Sequence, residues 1–389
     1  MKKRVAVLGA TGSIGKSTID VLREGKEYFD VVLLSSHRDV SGLAALSREF
    51  PAADLALTGA NAELGGVCAA NAVYRGKEGL LQAIARIAPD ITVNGIAGAA
   101  GLEPSLAALD AGSDLALANK ETVVMAAPLV FARAKKTGRR ILPVDSEHHA
   151  VSSLMEARGR ENAVEIILTA SGGPFRTRKR EDFARITVEE ALAHPTWNMG
   201  PKITLDSASL ANKGLEVIEA AGLFTMPPDR ITVVIHPQSI VHSMVRLKDG
   251  GVYAQLSQPD MRLPIHNALY YPVCTPCSLG RLDFTGLTLN FEAPDFAAFP
   301  MLPLAYEAAK RGGLYPAVYN AANEAAAAAF LAKTIGFLDI PRIVEYVLNT
   351  GWDTSGDFES GEALRVILEA DETARNIAAA YISEKNLCS

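Results

Sequence analysis

The sequence predicts an α/β protein in three parts: an N-terminal Rossmann-like, doubly wound parallel sheet, an α+β catalytic and connective domain, and a C-terminal α-helical bundle. Three observations lead to this fold class. Short strands alternate with helices up to residue 145, clustered strands follow, and an alanine-rich stretch begins near residue 301. Strand–helix alternation builds parallel βαβ units, whereas strands close together in sequence form antiparallel hairpins.

The first predicted domain, residues 1–145, begins with the short strand RVAVL at residues 4–8. The glycine loop GATGSIG and a helix that stops at Gly25 come next. The later strands of this domain are FDVVLLSS, ADLALT, DITVNGI, SDLALAN and RILPVD, with a helical pattern between each pair. Such a series predicts a parallel sheet with helices on both faces.

After residue 145 the sequence no longer alternates regularly between strands and helices. Residues 146–275 contain the strand patterns RITVVIH, SIVHSMVRL and VYAQLSQ, with a KDGG turn at residues 248–251, and we expect these to form antiparallel hairpins. Residues 276–300 are rich in proline and glycine and predict a linker. Residues 301–389 are alanine-rich and predict a small helical bundle.

The composition describes a globular protein and narrows the choice of partners. The chain has 389 residues, of which 49% are hydrophobic and 21% charged, and its net charge is −6. This acidic balance argues against broad nucleic-acid binding. Since no apolar stretch is long enough to cross a bilayer, we expect no membrane insertion. Four sparse cysteines favour a reducing cytoplasm over a disulfide scaffold.

Three glycines mark a candidate nucleotide site. Gly9, Gly12 and Gly15 form G-x-x-G-x-x-G between the first strand and the first helix. Glycines permit a tight turn there and let backbone N–H groups approach a pyrophosphate at the helix N-terminus. Because the pattern lies in the first βα turn of a long βαβ series, it predicts dinucleotide binding.

The end of the second strand favours NADP over NAD. An NAD site needs an acid there for the ribose hydroxyl. Here the strand ends in Ser36, followed by His37 and Arg38, and arginine pairs well with a 2′-phosphate. Asp39 supports the competing NAD interpretation, but it lies one residue further on.

The stretch PVDSEHHA, residues 143–150, places two acids directly after an apolar run. If the strand continues, Asp145 and Glu147 project from one face and repel each other unless a cation lies between them. Alternatively, Asp145 caps a helix that begins at Ser146, and Glu147 lies in its first turn. The stretch alone leaves both interpretations open.

A third acid lies in LDSASLANKGLEVIE, residues 205–219. Asn212 and Glu216 stand four residues apart, so they share a helix face, and Lys213 is adjacent. Together, Asp145, Glu147 and Glu216 would make an all-oxygen site, which suits Mg²⁺ or Mn²⁺ better than zinc.

Two polar segments are candidate substrate loops. TASGGPF ends a strand in a Ser171-Gly-Gly-Pro turn suited to an anion. HPTWNMGPK carries His194 and, between two prolines, Trp197, Asn198 and Met199, which favours a lid over the substrate. The alternative is an ordinary connector with Trp197 buried in the core. We assign His236 and His242, on probable strands, to structural roles.

These motifs, taken in order, resemble the 1-deoxy-D-xylulose 5-phosphate reductoisomerase family. The segments that carry the resemblance are GATGSIG, ANKE, DSEH, SGGPF, HPTWNMGPKITLDSA, ANKGLE, HPQSIVHSMV and QPDMRLPI. The resemblance implies NADPH-dependent, metal-dependent rearrangement and reduction of 1-deoxy-D-xylulose 5-phosphate to 2-C-methyl-D-erythritol 4-phosphate. This reaction belongs to the non-mevalonate isoprenoid pathway, and both retro-aldol and ketol-shift routes fit it.

The resemblance also implies residue roles. The metal, Mg²⁺ or Mn²⁺ with Co²⁺ as a further candidate, would be held by Asp145, Glu147 and Glu216. These three, together with Lys120 and His194, form the expected catalytic set. The substrate contacts would be Ser146, Ser171, His194, Trp197, Ser207, Asn212, Lys213 and Glu216, with Trp197 and Met199 in the lid. The NADPH contacts it implies would be Thr11, Gly12, Ser13, Ile14, Asn119, Lys120, Glu121, Gly200 and Met261. To these we add Ser36, His37 and Arg38 from the end of the second strand.

One segment departs from the family pattern, in which the second strand often ends in a small residue, glycine, a basic residue and asparagine. Here it reads SSHR, and we expect His37 and Arg38 to take over the 2′-phosphate. The family is homodimeric, which implies a homodimer here as well.

Two other functions compete with this one. A semialdehyde dehydrogenase also starts with GATG but needs a nucleophilic cysteine. The only cysteines of the predicted catalytic part are Cys274 and Cys277, which come late and next to the linker. A non-catalytic NADP sensor would bind the nucleotide without depending on a metal.

Overall fold

The computed structural model describes residues 1–59, 72–197 and 199–387, and the chain divides into two compact units. The first unit comprises Met1–Thr122, Val130–His149 and Asp260–Leu279. The second comprises Val123–Leu129, Ala150–Pro259 and Gly280–Ser389. Asn198, in the predicted lid, and two of the four cysteines, Cys68 and Cys388, lie outside the described residues. The predicted division at residues 145, 275 and 300 stays a prediction.

The strands and helices follow the predicted order. The strands are β1 (Lys3–Leu8), β2 (Phe29–Ser36), β3 (Asp54–Leu57), β4 (Val73–Arg75), β5 (Ile91–Asn94), β6 (Asp114–Leu117), β7 (Ile141–Pro143), β8 (Ala163–Ala170), β9 (Ile231–Ile235), β10 (Val241–Leu247) and β11 (Val252–Leu256). The helices are α1 (Ser13–Glu24), α2 (Val40–Glu49), α3 (Gly76–Ile87), α4 (Leu102–Asp110), α5 (Lys120–Thr137), α6 (Ser146–Arg158), α7 (Val188–Ala191), α8 (Pro201–Ala208), α9 (Ala211–Phe224), α10 (Arg262–Tyr270), α11 (Met301–Arg311), α12 (Tyr315–Leu331), α13 (Asp339–Leu348) and α14 (Ala363–Leu387).

The first unit is built on a seven-stranded sheet in the order β4-β3-β2-β1-β5-β6-β7. All its pairs are parallel, as the strand–helix alternation predicted. The short strand β4 was not predicted, because its three residues are partly or fully exposed and show no apolar pattern. The chain reverses direction across the sheet at β1, which pairs with both β2 and β5. In such sheets, the crevice at the carboxyl ends of the strands beside this switch point binds the ligand.

The second unit contains a four-stranded sheet in the order β11-β10-β8-β9. Strands β10 and β11 form the predicted antiparallel hairpin around residues 248–251. The expectation that β9 also joins a hairpin is wrong, since β9 pairs with β8 in parallel and has no pairing with β10. The reason is that helices α7 to α9 connect β8 to β9, and a long helical crossover returns the chain in the same direction.

The helical C-terminal part of the second unit confirms the predicted bundle class. Helices α11, α13 and α14 pack against α12, whose small side chains permit close approach. Ala317, Ala321 and Ala322 on α12 are completely buried. Among the described residues, no helix is both long enough and apolar enough to span a bilayer.

Candidate active site

Two serine hydroxyls at the end of β2 contact the glycine loop between β1 and α1. The Gly9 N–H donates to the Ser35 hydroxyl at 3.0 Å, and the Thr11 and Ser36 hydroxyls lie 2.9 Å apart. A Cβ at Gly15 would lie 2.3 Å from the Gly9 carbonyl oxygen, so only glycine lets α1 approach the loop. Within the described part of the chain, no side chain caps α1. Its N-terminus is therefore suited to an anion such as a pyrophosphate.

The segment after β2 distinguishes between the NAD and the NADP interpretation. Asp39 caps α2, its Oδ1 accepting a hydrogen bond from the Gly42 N–H at 2.8 Å. His37 and Arg38 are exposed, and Nδ1 of His37 lies 3.0 Å from the Thr58 hydroxyl. Since the acid is engaged in capping and the guanidinium lies at the surface, the local geometry favours a 2′-phosphate partner.

Asn119 ties together the loops that follow β5 and β6. Its side-chain oxygen accepts from the Thr122 N–H at 2.9 Å and so caps α5. Its amide donates to the carbonyls of Ile96 and Gly98 at 2.7 and 2.8 Å, and to Glu121 at 3.0 Å. Asn119 thus shapes the strand-end crevice through the backbone, which the ANKE motif alone did not reveal.

Asp145 caps a helix, so the strand interpretation of PVDSEHHA is wrong. Strand β7 ends at Pro143 and α6 begins at Ser146. Oδ1 of Asp145 accepts from the Glu147 N–H at 3.1 Å and lies 3.1 Å from Nδ1 of His148. Oδ2 accepts from Nζ of Lys120 at 3.1 Å. The cap satisfies helix N–H groups that a continuing strand would have paired differently.

Glu216 lies on α9 in the predicted relation to its neighbours. Nδ2 of Asn212 donates to Oε1 of Glu216 at 2.6 Å, and Nζ of Lys213 donates to Oε2. Glu216 is only 1% exposed, so these partners offset the cost of burying its charge. Between them, Gly214 has a packing role, because a Cβ there would lie 2.7 Å from the Cβ of Ala305.

The three predicted metal ligands are brought together. Each of Asp145, Glu147 and Glu216 offers a carboxylate oxygen, and these oxygens all lie within 4.8 Å of one another. Ser146 donates a hydrogen bond to Glu147 from the first turn of α6. An all-carboxylate donor set suits a hard divalent cation.

His194 is the centre of a second cluster, with Ser171 and Ser207. Its Nε2 lies 3.1 Å from each hydroxyl oxygen. Nδ1 accepts from the N–H groups of Thr196 and Trp197 at 3.1 and 2.9 Å. Because Nδ1 accepts two hydrogen bonds, the neutral ring carries its proton on Nε2, where it can donate to the hydroxyls or to an anion.

The loop after His194 is fixed at its far end by α8. The Thr204 hydroxyl donates to the Gly200 carbonyl at 2.9 Å. Trp197 and Met199 are half-buried, so their role as a lid stays a prediction. Met261 precedes α10 and is also half-buried. His236 and His242 bind backbone or neighbouring side-chain atoms, in agreement with their structural assignment.

Three family models match the chain. The 1-deoxy-D-xylulose 5-phosphate reductoisomerase model matches residues 5–127. The two C-terminal domain models of the same enzyme match residues 141–224 and 256–377. The chain belongs to the 1-deoxy-D-xylulose 5-phosphate reductoisomerase family.

Individual relatives agree over almost the whole chain. The 1-deoxy-D-xylulose 5-phosphate reductoisomerase of Desulfitobacterium hafniense is 48% identical over 377 residues, covering 96% of this chain and 97% of its own. That of Treponema pallidum is 45% identical and covers 98% of each chain. The Zymomonas mobilis enzyme, solved in complex with NADPH, is 41% identical, with a TM-score of 0.89 and coverage of 98% and 99%.

A second solved structure adds the ligands of the reductoisomerase site. A DOX-P reductoisomerase in complex with NADPH, fosmidomycin and magnesium is 40% identical to this chain, with a TM-score of 0.93 and 98% coverage of both chains. Membership in the reductoisomerase family leaves the semialdehyde dehydrogenase and NADP-sensor interpretations without support.

The pKa of His194 is lowered from its ordinary value because the imidazole is partly buried. The unfolded chain therefore binds a proton more readily than the folded one between the two pKa values. As the pH falls from the unfolded-state pKa of about 6.5 towards the lower pKa of the folded state, His194 decreases the free energy of unfolding. Above that pH range, His194 does not affect the free energy of unfolding. We expect the His194→Gln variant to lose stability less steeply between about pH 7 and 5 than the parent.

Urea unfolding at several pH values measures this difference. His266, whose pKa is also lowered by burial, contributes equally to both curves and cancels. Parallel curves for the parent and the His194→Gln variant would contradict the prediction.

Proposed function

We propose that this chain catalyses the NADPH-dependent and divalent-metal-dependent conversion of 1-deoxy-D-xylulose 5-phosphate into 2-C-methyl-D-erythritol 4-phosphate. The observation that carries the proposal is the set of three carboxylates whose oxygens lie within 4.8 Å of one another in a member of this family. The carbon skeleton is rearranged first, and the aldehyde formed takes up a hydride and a proton to become an alcohol.

The residues present fit a divalent cation. Asp145, Glu147 and Glu216 supply only oxygen donors and bring three negative charges together. Lys120 and Lys213 each contact one of these carboxylates and hold it in place. When bound, the cation would polarise the ketone and the neighbouring hydroxyl of the substrate, and NADPH would supply the hydride.

The His194 cluster fits the phosphate of the substrate. Ser171, Ser207 and Nε2–H of His194 offer three donors close together. The side chain of Leu210, the residue before α9, does not cap this helix. Asn212 and Lys213 lie in its first turn. A helix N-terminus next to a lysine favours a phosphate group. Because the phosphate does not react, its binding energy is shared by the ground state and the transition state, and it mainly lowers KM.

The glycine loop and the end of β2 fit NADPH. The first turn of α1 would take the pyrophosphate, and Arg38 and His37 would take the 2′-phosphate. Asn119 and Glu121 stabilise the crevice at the ends of β5 and β6. Trp197 and Met199 would cover the substrate and exclude water from the reactive aldehyde.

We also propose a homodimer in the cytoplasm. Phe291 and Phe296 of the second unit are exposed and line one groove together with Pro294 and Tyr306. An apolar surface of this kind marks an association site. Light scattering is expected to give about twice the chain mass of 41.3 kDa, and a monomer mass would contradict the dimer.

We expect NADPH consumption with 1-deoxy-D-xylulose 5-phosphate to require Mg²⁺ or Mn²⁺, and Glu216→Gln to abolish most of it. The loss in kcat should be about 100-fold or more, because the amide is a poorer ligand than the carboxylate. NADPH affinity should stay nearly unchanged. Glu219→Gln is the matched control, since this equally buried acid lies one turn further along α9.

The loss of the near-ultraviolet absorbance of the reduced nicotinamide follows the reaction, and calorimetry with Mn²⁺ follows the metal. Turnover that does not depend on a metal would refute the proposed function. Normal Mn²⁺ binding by the Glu216→Gln variant would remove Glu216 from the ligand set.

We expect Arg38→Ala to raise the KM for NADPH by about tenfold to a hundredfold, because a charge-assisted hydrogen bond to the 2′-phosphate is lost. The KM for NADH should not change, since NADH lacks that phosphate. Arg48→Ala, which removes another exposed arginine at the end of α2, is the control. Equal effects of Arg38→Ala on both nucleotides would show that Arg38 does not contact the 2′-phosphate.

A further inference from the structure

Helix α8 carries a buried carboxylate that the proposed chemistry does not use. Asp206 is 1% exposed and directly precedes Ser207. Its Oδ2 lies 2.6 Å from Nζ of Lys202, one turn earlier in the same helix. A buried charge is costly unless it is paired and hydrogen-bonded, so the remaining oxygen also needs a donor.

That donor comes from the C-terminal helices. Nδ2 of Asn323, in the middle of α12, donates to Oδ1 of Asp206 at 3.0 Å, across 117 positions of the sequence. Asn323 is 1% exposed, and α12 packs against α8 at this point. Since both groups are shielded from water, neither finds a replacement partner if the other is removed. The hydrogen bond therefore fixes α8 against α12.

Helix α8 in turn holds the groups proposed to meet the substrate phosphate. The Ser207 hydroxyl lies 3.1 Å from Nε2 of His194. The Thr204 hydroxyl anchors the end of the loop that contains Trp197. A shift of α8 moves both ends of that loop together with Ser207.

We propose that Asp206 and Asn323 are positioning residues that hold α8 so that Ser207 and His194 converge on the substrate phosphate. The inference rests on the proposed function and names neither residue as a contact of the substrate. Loosening the pair weakens phosphate binding and leaves the metal and nucleotide sites intact. The KM for the substrate rises while kcat changes little.

The test is an exchange of the two side chains. Asn323→Asp places two carboxylates together, and we expect the KM for 1-deoxy-D-xylulose 5-phosphate to rise about tenfold or more, with kcat within about threefold of the parent. The double variant Asp206→Asn with Asn323→Asp restores one donor and one acceptor. It should return the KM to within about threefold of the parent. Asn320→Asp is the control, since the Asn320 amide donates within α12 to Glu324.

Two further measurements keep the outcome decisive. Asn323→Ala, a milder change, should also raise the KM, and it serves if Asn323→Asp does not fold. Calorimetric titration with inorganic phosphate should rank the variants in the same order without turnover. An inactive parent enzyme would refute the proposed function. An active parent with an unchanged KM and phosphate affinity in folded Asn323 variants, or no recovery in the double variant, would overturn the positioning role.

Discussion

The need to pair every buried carboxylate governs the structure around the candidate site. Glu216 and Asp206 are almost fully shielded from water, where an unpaired charge would be very costly. Each is held by one lysine and one uncharged or aromatic donor: Glu216 by Lys213 and Asn212, and Asp206 by Lys202 and Asn323. Asp145 follows the same rule with Lys120 and His148. These partners fix the orientation of each carboxylate before any ligand arrives, which is what preorganisation requires.

The first turn of α9 shows how one short segment serves two purposes. Asn212 and Lys213 turn towards Glu216, while the positive end of the helix dipole at the start of α9 favours an anion. Gly214 lets this turn pack closely against Ala305 of α11, because any side chain there would clash. The C-terminal helices therefore act on the site through packing at Gly214 and through the hydrogen bond at Asp206. Their contribution is rigidity, which a reaction with a reactive aldehyde needs in order to orient the substrate and exclude water.

How far the sequence predicted the site depends on how local each feature is. The glycine loop and the Asn212–Glu216 pair were predicted, since their meaning lies within a few residues. PVDSEHHA was ambiguous, because acids after a strand suit both a continuing strand and a helix cap. The partner of β9 was predicted wrongly, since pairing across a 60-residue crossover leaves no local pattern. The contact between Asp206 and Asn323 was not predicted at all, because only folding brings residues 117 positions apart together.

The nucleotide preference illustrates why a residue type alone does not determine function. An acid near the end of the second strand indicates NAD when its carboxylate is available to a ribose. Asp39 is such an acid, but Oδ1 accepts from the N–H of Gly42 and from the hydroxyl of Ser41 as the cap of α2. Binding a ribose through that oxygen would uncap the helix, at a cost of about 1 kcal/mol. Among the described residues, no side-chain hydrogen bond engages the exposed Arg38 at the helix start, which supports the proposal that Arg38 takes the 2′-phosphate in place of the residues of the family pattern.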